Sequence, residues 1–285
     1  MIVDVHTHVF VADTDFGPKL KADLDRCKID PSIWGNVTDR HLEDTKAADI
    51  AIVFGLQASA TDWNIPNEFV ANHVSKAADR MLFFVSIDPL QKDYMEQLEK
   101  FHQQYNAVGV KLSPLYQNIH PQDPKYYEIY TYCNKHGLPI LFHAGTSFVS
   151  GTPLDYSRPI YFDKIAMDFP ELKIVLAHLA HPWESEAIAL IRRHRHVYCD
   201  VSALYYRPWQ FYNSMRLLEE YKTHEKVLFG SDFPFTTTSD SIQGVRNLNH
   251  VVLGSGLPTV SSEIIEGIIH RDTLSCLGLL NPKLY

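Results

Sequence analysis

The stretch Ile2-Val-Asp-Val-His-Thr-His-Val9 is the first of eight short apolar runs rich in β-branched residues. Runs of this kind predict strands that are buried on both faces, as in a parallel sheet. The other seven runs span residues 50–56, 82–88, 107–112, 139–144, 173–179, 196–202 and 226–232. Eight such strands favour a closed barrel over an open sheet.

Segments with helical spacing separate most of these runs. Apolar residues recur at intervals of three and four over residues 67–78, 94–105, 125–136, 184–194 and 209–221, as a helix with one buried face requires. Strands that alternate with helices predict an α/β fold, here a (β/α)8 TIM barrel as one domain over residues 1–285. A doubly wound sheet is the alternative fold.

Two further segments complete the predicted fold. The longest connection, residues 10–49, contains a predicted helix near residues 39–48, and long loops after strands usually cover the active face of a barrel. Residues 261–277 are predicted to form one or two helices that cover the barrel.

Composition and charge narrow the classes of function. The chain has 285 residues, 45% of them hydrophobic, and a formal net charge of -8, which argues against nucleic acid as a partner. Its four cysteines lie far apart and are interpreted as reduced thiols. With no run of about 20 apolar residues and no cationic leader, the sequence predicts a soluble cytoplasmic protein without a membrane partner.

The first strand carries three polar residues at alternate positions. Side chains two apart in a strand share a face, so Asp4, His6 and His8 are predicted to point into the barrel, with Asp4 supporting the histidines from below. Two neighbouring imidazoles at the carboxyl end of a strand can grip one metal ion. Taken alone, this spacing is weak evidence for a metal site, because two histidines often lie this close by chance in a chain that contains fifteen.

Three other predicted strands end in groups that can bind metal. His143 ends strand five, His178 ends strand six and Asp232 ends strand eight, each after an apolar run. Burying such groups without partners is costly, and the carboxyl ends of barrel strands meet at one face. The sequence therefore predicts one metal site at that face. The remaining histidines, His41 and His73 among them, are interpreted as surface or helix-packing residues.

In combination these motifs resemble the amidohydrolase superfamily, specifically its amidohydrolase-related (amidohydrolase 2) branch. That branch includes hydrolases, 2-pyrone-4,6-dicarboxylate lactonase-like proteins and decarboxylases similar to aminocarboxymuconate semialdehyde decarboxylase. The resemblance extends from His6 to a tail, residues 271–279, that is similar to the closing helix of the family. It is carried by Asp4-Val-His-Thr-His8, His143, His178 and Gly230-Ser-Asp-Phe-Pro234.

The resemblance implies a divalent metal, most simply one zinc ion, held by His6, His8, His143 and Asp232. By the same resemblance His178 lies beside the metal, where it polarises the substrate or orients water. Catalytic roles then fall to Asp232, which takes a proton from water and returns it to the leaving group, and to His178.

Other residues are candidates for binding a substrate. Lys111, at the end of strand four, is predicted to hold a substrate carboxylate, with a carbamylated metal bridge and a salt bridge at the barrel rim as alternatives. Tyr205, Tyr206 and Arg207 follow strand seven and could contact the substrate, Arg207 by a bidentate pair with a carboxylate and the tyrosines by stacking or hydrogen bonds, or could simply cap a loop. His181 is interpreted as a supporting residue and not as a ligand.

Three functions are compatible with this set of residues. The first is a metal-dependent hydrolase that uses metal-activated water on a small-molecule ester, lactone or amide. The second is a non-oxidative decarboxylase of a small unsaturated or aromatic carboxylic acid. The third is a non-catalytic ligand-binding barrel, against which the intact ligand set argues. The expected partner is a small-molecule substrate that can carry a carboxylate. The sequence leaves open whether the protein assembles into a homo-oligomer.

Overall fold

Parallel strands surround the centre of the computed structural model, which describes residues 1–284. Each predicted run contributes one strand, and the strands pair in chain order with parallel neighbours. They are β1 Val3–His8, β2 Ile50–Phe54, β3 Met81–Ser86, β4 Gly109–Leu112, β5 Ile140–Phe142, β6 Ile174–Leu176, β7 Val197–Asp200 and β8 Val227–Leu228.

Backbone hydrogen bonds close the circle between β1 and the segment that follows β8. Val5 N donates to Phe229 O over 3.0 Å, Asp232 N donates to His6 O over 2.8 Å, and His8 N donates to Phe233 O over 2.9 Å. The predicted (β/α)8 TIM barrel is therefore confirmed. This closure brings Asp232 directly beside the His6 and His8 strand.

Helices pack around the barrel. Within residues 1–284 they are α1 Ala12–Asp15, α2 Pro18–Arg26, α3 Thr38–Asp44, α4 Asn67–Val74, α5 Tyr94–Gln104, α6 Pro114–Gln117, α7 Pro124–His136, α8 Ile160–Asp168, α9 Glu184–Arg193, α10 Pro208–Glu220, α11 Thr238–Arg246, α12 Ser262–Ile269 and α13 Thr273–Leu277. Five of them, α4, α5, α7, α9 and α10, lie at the positions that the periodicity predicted. A short antiparallel hairpin, Gln57–Ala58 with Trp63–Asn64, was not predicted. No helix in this part of the chain has the length and apolar character needed to cross a bilayer.

Two apolar layers hold the fold together. The strand side chains that face outward pack against the helices in one large cluster. Those that face inward, such as Val5, Phe54 and Phe84, form a second cluster inside the barrel. Leu274 and Leu277 of α13 join this inner cluster, so the prediction that the tail covers the barrel is confirmed.

A β-bulge in β1 corrects one prediction about the site. Asp4 pairs with Ala51 and Thr7 pairs with Val53, so one extra residue lies between them in β1. Because the extra residue breaks the alternation of faces, Asp4 does not share the inward face of His6 and His8. Its carboxylate instead accepts hydrogen bonds from Ser231 N at 2.9 Å and from the Thr238 hydroxyl of α11 at 3.1 Å.

Candidate active site

The two histidines of β1 and the aspartate after β8 meet at the carboxyl end of the barrel. His6 Nε2 lies 3.2 Å from His8 Nε2. Asp232 Oδ1 lies 3.3 Å from His6 Nε2 and 3.4 Å from His8 Nε2. The bulge in β1 and the closure of the barrel together place these three side chains around one point.

Asp200 at the end of β7 fixes the orientation of the His6 ring. Its Oδ2 lies 2.9 Å from His6 Nδ1, and both residues are almost fully buried. An ionised carboxylate can only accept, so the proton of neutral His6 sits on Nδ1 and the lone pair on Nε2. A histidine that donates one ring N–H to a carboxylate and offers the other nitrogen is typical of metal sites.

His178 reaches the same place by an unusual backbone path. Its φ of 60° lies in the left-handed region, as do those of Leu179 and Ala180, at 47° and 51°. This strained turn persists because His178 N donates to Asp200 Oδ1 over 3.0 Å. One ligand atom of His178 lies within 4.8 Å of ligand atoms of His6 and Asp232.

These residues form a set that fits a metal ion. The Nε2 lone pair of His6 points at Asp232 Oδ1, a second acceptor, with His8 Nε2 beside both. His143, at the end of β5, lines the same cavity, and its buried Nε2 has no hydrogen-bond partner among residues 1–284. Buried acceptors that converge in this way repel one another unless a cation lies between them. The cluster could therefore hold a divalent metal.

Burial keeps the imidazoles of the cluster neutral. It holds the pKa values of His6 and His8 well below their usual range, and it lowers those of His143 to about 3 and His178 to about 4. The same burial raises the pKa of Asp232 to about 6, which nearby His178 and Lys111 oppose. Neutral imidazole is the form that binds metal.

A cavity of about 540 Å³ opens above this cluster. The polar residues His6, His8, His143, His178 and Asp232 line one part of it, together with the predicted substrate-binding residues Lys111 and Arg207. Aromatic side chains from several loops line the rest, namely Phe10, Trp34, Trp63, Tyr116, Phe148, Tyr206 and Phe235. The cavity is thus a mainly apolar pocket with a few convergent polar groups, as small-molecule sites usually are.

The connection between β1 and β2 contributes three of the apolar lining residues. Phe10, Ile29 and Trp34 all come from this segment, which includes α1, α2 and α3. The segment therefore covers the active face, as its length predicted.

Lys111 of β4 occupies a buried position in the cavity wall. Its side chain is 1% exposed, and its Nζ has no hydrogen-bond partner among the described residues. The ammonium lies 4.5 Å from the centre of the Phe54 ring, and burial lowers its pKa to about 7. The alternative of a lysine salt-bridged at the barrel rim is wrong, because no carboxylate of residues 1–284 pairs with Lys111.

The loop after β7 differs from the prediction at one residue. Tyr206 and Arg207 line the cavity, and the Arg207 guanidinium stacks 4.5 Å from the Tyr206 ring. Tyr205 does not line it, because its hydroxyl donates to Gly230 O and its ring packs against Phe211. Of the two tyrosines predicted as candidates for binding a substrate, the structure therefore places Tyr206 in the cavity wall and gives Tyr205 a supporting position.

Sequence reasoning missed Asp200 and Ser202. Both lie at the carboxyl end of the seventh predicted strand, so the rule that selected His143 and His178 applied to them as well. Ser202 Oγ lies 2.5 Å from Asp200 Oδ1 and 2.7 Å from His178 Nδ1. Asp200 and Ser202 therefore support the site through hydrogen bonds.

His41 and His73 make more specific contacts than the predicted surface or helix packing. Both are buried, and they form a hydrogen-bonded chain in which His73 Nε2 lies 3.0 Å from His41 Nδ1 and His41 Nε2 lies 2.9 Å from Thr7 Oγ1. Thr7 donates in turn to Ile52 O over 2.8 Å. These hydrogen bonds hold the outward face of β1 at Thr7, between His6 and His8.

Comparison of the fold with solved structures identified three informative neighbours. An uncharacterized TIM-barrel protein from Bordetella bronchiseptica is 19% identical, with 97% of this chain and 99% of that chain covered and a TM-score of 0.71. A probable 2-pyrone-4,6-dicarboxylic acid hydrolase from Acinetobacter baumannii, with citric acid bound, is 15% identical, with 98% and 99% covered and a TM-score of 0.60. A dihydroxybenzoic acid decarboxylase from Polaromonas sp., with bound manganese and an inhibitor, is 13% identical, with 97% and 96% covered and a TM-score of 0.66.

At these identities the neighbours show a shared fold and no more. A search of curated proteins found no significant match. The decisive comparison is with family models, where the model Amidohydro_2, described as Amidohydrolase, matches residues 3–270. That range runs from the start of β1 to just beyond α12 and includes the whole cluster. The chain is therefore an enzyme of the amidohydrolase family, which confirms the resemblance carried by its strand-end histidines and aspartate.

Proposed function

We propose that the protein is a zinc-dependent hydrolase that acts on an ester, lactone or amide bond of a small molecule. The observation that carries the proposal is the meeting of His6 Nε2, His8 Nε2 and Asp232 Oδ1 within 3.4 Å of one another beneath an apolar cavity. Two of these atoms, His6 Nε2 and Asp232 Oδ1, are acceptors 3.3 Å apart, and a cation between them would relieve their repulsion. A reaction centre beside a cavity of about 540 Å³ suits a small-molecule substrate.

The donor set favours zinc. His6, His8, His143 and Asp232 would hold the ion with three imidazoles and one carboxylate, a combination typical of zinc, although imidazole also accepts other transition metals. Manganese, present in the decarboxylase from Polaromonas sp., is the alternative that metal analysis must distinguish. When bound, the ion supplies a Lewis acid that activates water near neutral pH.

The residues of the chain supply the remaining steps of hydrolysis. Asp232 turns Oδ1 toward the histidine pair, which leaves its second oxygen free to take a proton from water and return it to the leaving group. Neutral His178 carries its proton on Nδ1, which lies 2.7 Å from the hydroxyl oxygen and 3.2 Å from the carbonyl oxygen of Ser202. Its Nε2 lone pair can therefore accept a hydrogen bond from water and orient it.

Two cationic residues can recognise an acidic substrate. Arg207 lines the cavity, and Lys111 lies buried in its wall with no hydrogen-bond partner among residues 1–284. A substrate carboxylate would supply Lys111 with the anion that the protein does not. A carbamylated Lys111 that bridges two metal ions is the alternative to this role.

The same lysine also favours the second candidate function. A metal-dependent decarboxylase must hold the carboxylate of an unsaturated or aromatic acid beside the metal, and the aromatic cavity wall with Lys111 and Arg207 offers such a place. Hydrolysis and decarboxylation therefore use one site. They differ in their products, because only decarboxylation releases carbon dioxide without consuming water.

One experiment tests the metal and the reaction together. The purified protein is analysed for zinc and manganese, and is then given lactones, amides, esters and aromatic or unsaturated carboxylates. We expect about one zinc ion per chain and release of acid from a lactone, ester or amide. Carbon dioxide release without hydrolysis would establish the decarboxylase, and a protein that takes up no divalent metal would refute both functions.

A further inference from the structure

The hydroxyl of Ser202 lies between a buried carboxylate and the histidine of β6. Ser202 Oγ is 2.5 Å from Asp200 Oδ1 and 2.7 Å from His178 Nδ1. Ser202 and Asp200 have no exposed surface, so water does not compete for these contacts. The three groups form a short hydrogen-bonded chain behind the active site.

The hydrogens in this chain can be assigned from chemistry alone. A hydroxyl carries one hydrogen and a carboxylate carries none, so the Ser202 hydroxyl donates to Asp200. Its oxygen can then only accept from His178, which must carry its proton on Nδ1. The carbonyl oxygen of Ser202, 3.2 Å from the same nitrogen, is a longer contact that favours the same assignment.

Asp200 connects this chain to the histidine pair. Besides Ser202 Oγ, its carboxylate accepts from His6 Nδ1 at 2.9 Å, His178 N at 3.0 Å and Ser202 N at 3.0 Å. Four donors compensate its buried charge. The carboxylate thus places the protons of both rings, that of His6 directly and that of His178 through the serine.

We propose that Ser202 is a positioning residue that locks His178 in its Nδ1–H tautomer. In that state His178 presents an unprotonated Nε2 to the cavity beside Asp232. The other tautomer would direct an N–H at a cation site and would have no lone pair for water. The tautomer of a neutral imidazole is set by the hydrogen bonds of its other nitrogen, and the hydroxyl contact of His178 Nδ1, at 2.7 Å, is shorter than its carbonyl contact, at 3.2 Å.

This inference deepens the proposed function, and it rests on that function only for its kinetic consequence. The tautomer itself can be measured without a substrate. In the zinc-loaded protein labelled with ¹⁵N-histidine, the two nitrogen shifts of His178 show which nitrogen carries the proton. The His178 signals are assigned by their loss in His178→Asn.

We expect Ser202→Ala to change the His178 nitrogen shifts from a pure Nδ1–H pattern toward a mixture of the two tautomers. A mixture is expected because the backbone carbonyl, 3.2 Å away, remains as a weaker acceptor. Ser202→Thr keeps the hydroxyl and should restore the pattern. The matched control is Ser214→Ala, which removes a buried hydroxyl that donates to Gln210 O within α10.

With any substrate that is turned over, Ser202→Ala should lower kcat about tenfold and change KM less than twofold. Metal content should stay the same, because His6 keeps its own bond to Asp200. An unchanged His178 spectrum in folded Ser202→Ala would overturn the inference. If no substrate is turned over, the proposed function fails, whereas the nitrogen spectrum still decides this inference.

Discussion

His6 of β1 and Asp200 of β7 are joined by a buried hydrogen bond of 2.9 Å between Nδ1 and Oδ2. The two residues are 194 positions apart in the chain, and closure of the barrel brings them together. The bond fixes which nitrogen of His6 is free. Metal binding by the β1 histidines should therefore depend on a residue that is not itself a ligand.

Asp200→Asn should lower metal affinity by about 10–100-fold, because the amide cannot accept all four hydrogen bonds and no longer supports His6 as a ligand. Competition with a chromogenic chelator measures the change. Asp49→Asn, at a partly exposed position, is the control and should bind metal normally. An affinity for Asp200→Asn within twofold of the unmodified protein would contradict this role.

Removal of the metal should abolish turnover, and zinc should restore it. Asp232→Asn should lower kcat by about 100-fold or more, since the uncharged amide is a weaker partner for a metal ion and cannot take a proton from water. The measurements are turnover and metal content of the treated protein and of the variant, with Asp240→Asn, exposed in α11, as control. Turnover that survives both changes would argue that the barrel is not a metal-dependent enzyme.

Arg207→Ala should raise KM for a carboxylated substrate about tenfold, with a smaller change in kcat. The guanidinium lines the cavity and can form a bidentate pair with a carboxylate. Arg207→Lys should recover part of the loss, because a lysine keeps the charge but not the fork geometry. The exposed Arg192→Ala is the control. An equal rise in KM for an uncharged analogue would show that Arg207 does not bind the substrate carboxylate.

Gly145→Ala should destabilise the protein by more than about 2 kcal/mol. Gly145 has a φ of +99°, and an added Cβ would collide with the carbonyl oxygen of His181, a residue of the cavity wall. Gly137→Ala is the matched control, because it has a φ of +70° with nothing within 4 Å. That variant should lose only about 1–2 kcal/mol from backbone strain. Urea unfolding measures both, and equal losses would count against the collision.

Stability should fall as the pH drops from about 6.5 to about 4, and His73 should contribute to the fall. Burial lowers the pKa of His73 to about 4 in the folded protein, against about 6.5 in an unfolded chain. The unfolded state therefore binds more protons in this window, which favours unfolding as the pH decreases.

His73→Gln keeps a donor for His41 but cannot titrate, so the slope of unfolding free energy against pH should become shallower. Denaturant unfolding at several pH values measures that slope. His136→Gln, at an exposed position, is the control and should leave the slope unchanged. A slope that stays the same in His73→Gln would show that His73 does not contribute.

Local patterns determined most of the fold and the centre of the site. The eight strands and the main helices follow from apolar periodicity, which depends only on neighbouring residues. His143, His178 and Asp232 were recognisable because each ends an apolar run, and parallel strands must end at the same face of a barrel.

The errors arose where a contact between distant segments decides the outcome. Alternation along β1 predicted an inward Asp4, whereas the bulge is set by how β1 pairs with β2. Tyr205 and Tyr206 are adjacent in one loop, and only the packing of Tyr205 against Phe211 and the Gly230 carbonyl shows which ring reaches the cavity.

The sequence by itself determined that the chain is a barrel of the amidohydrolase type with imidazoles and a carboxylate at one end, because strand periodicity and strand-end chemistry are local properties. Only the tertiary structure decided which nitrogen of His6 and His178 is free, and which residues hold them there. Those assignments depend on hydrogen bonds that His6 donates to Asp200 and His178 donates to Ser202, and such bonds exist only once closure of the barrel brings β7 against β1 and β6.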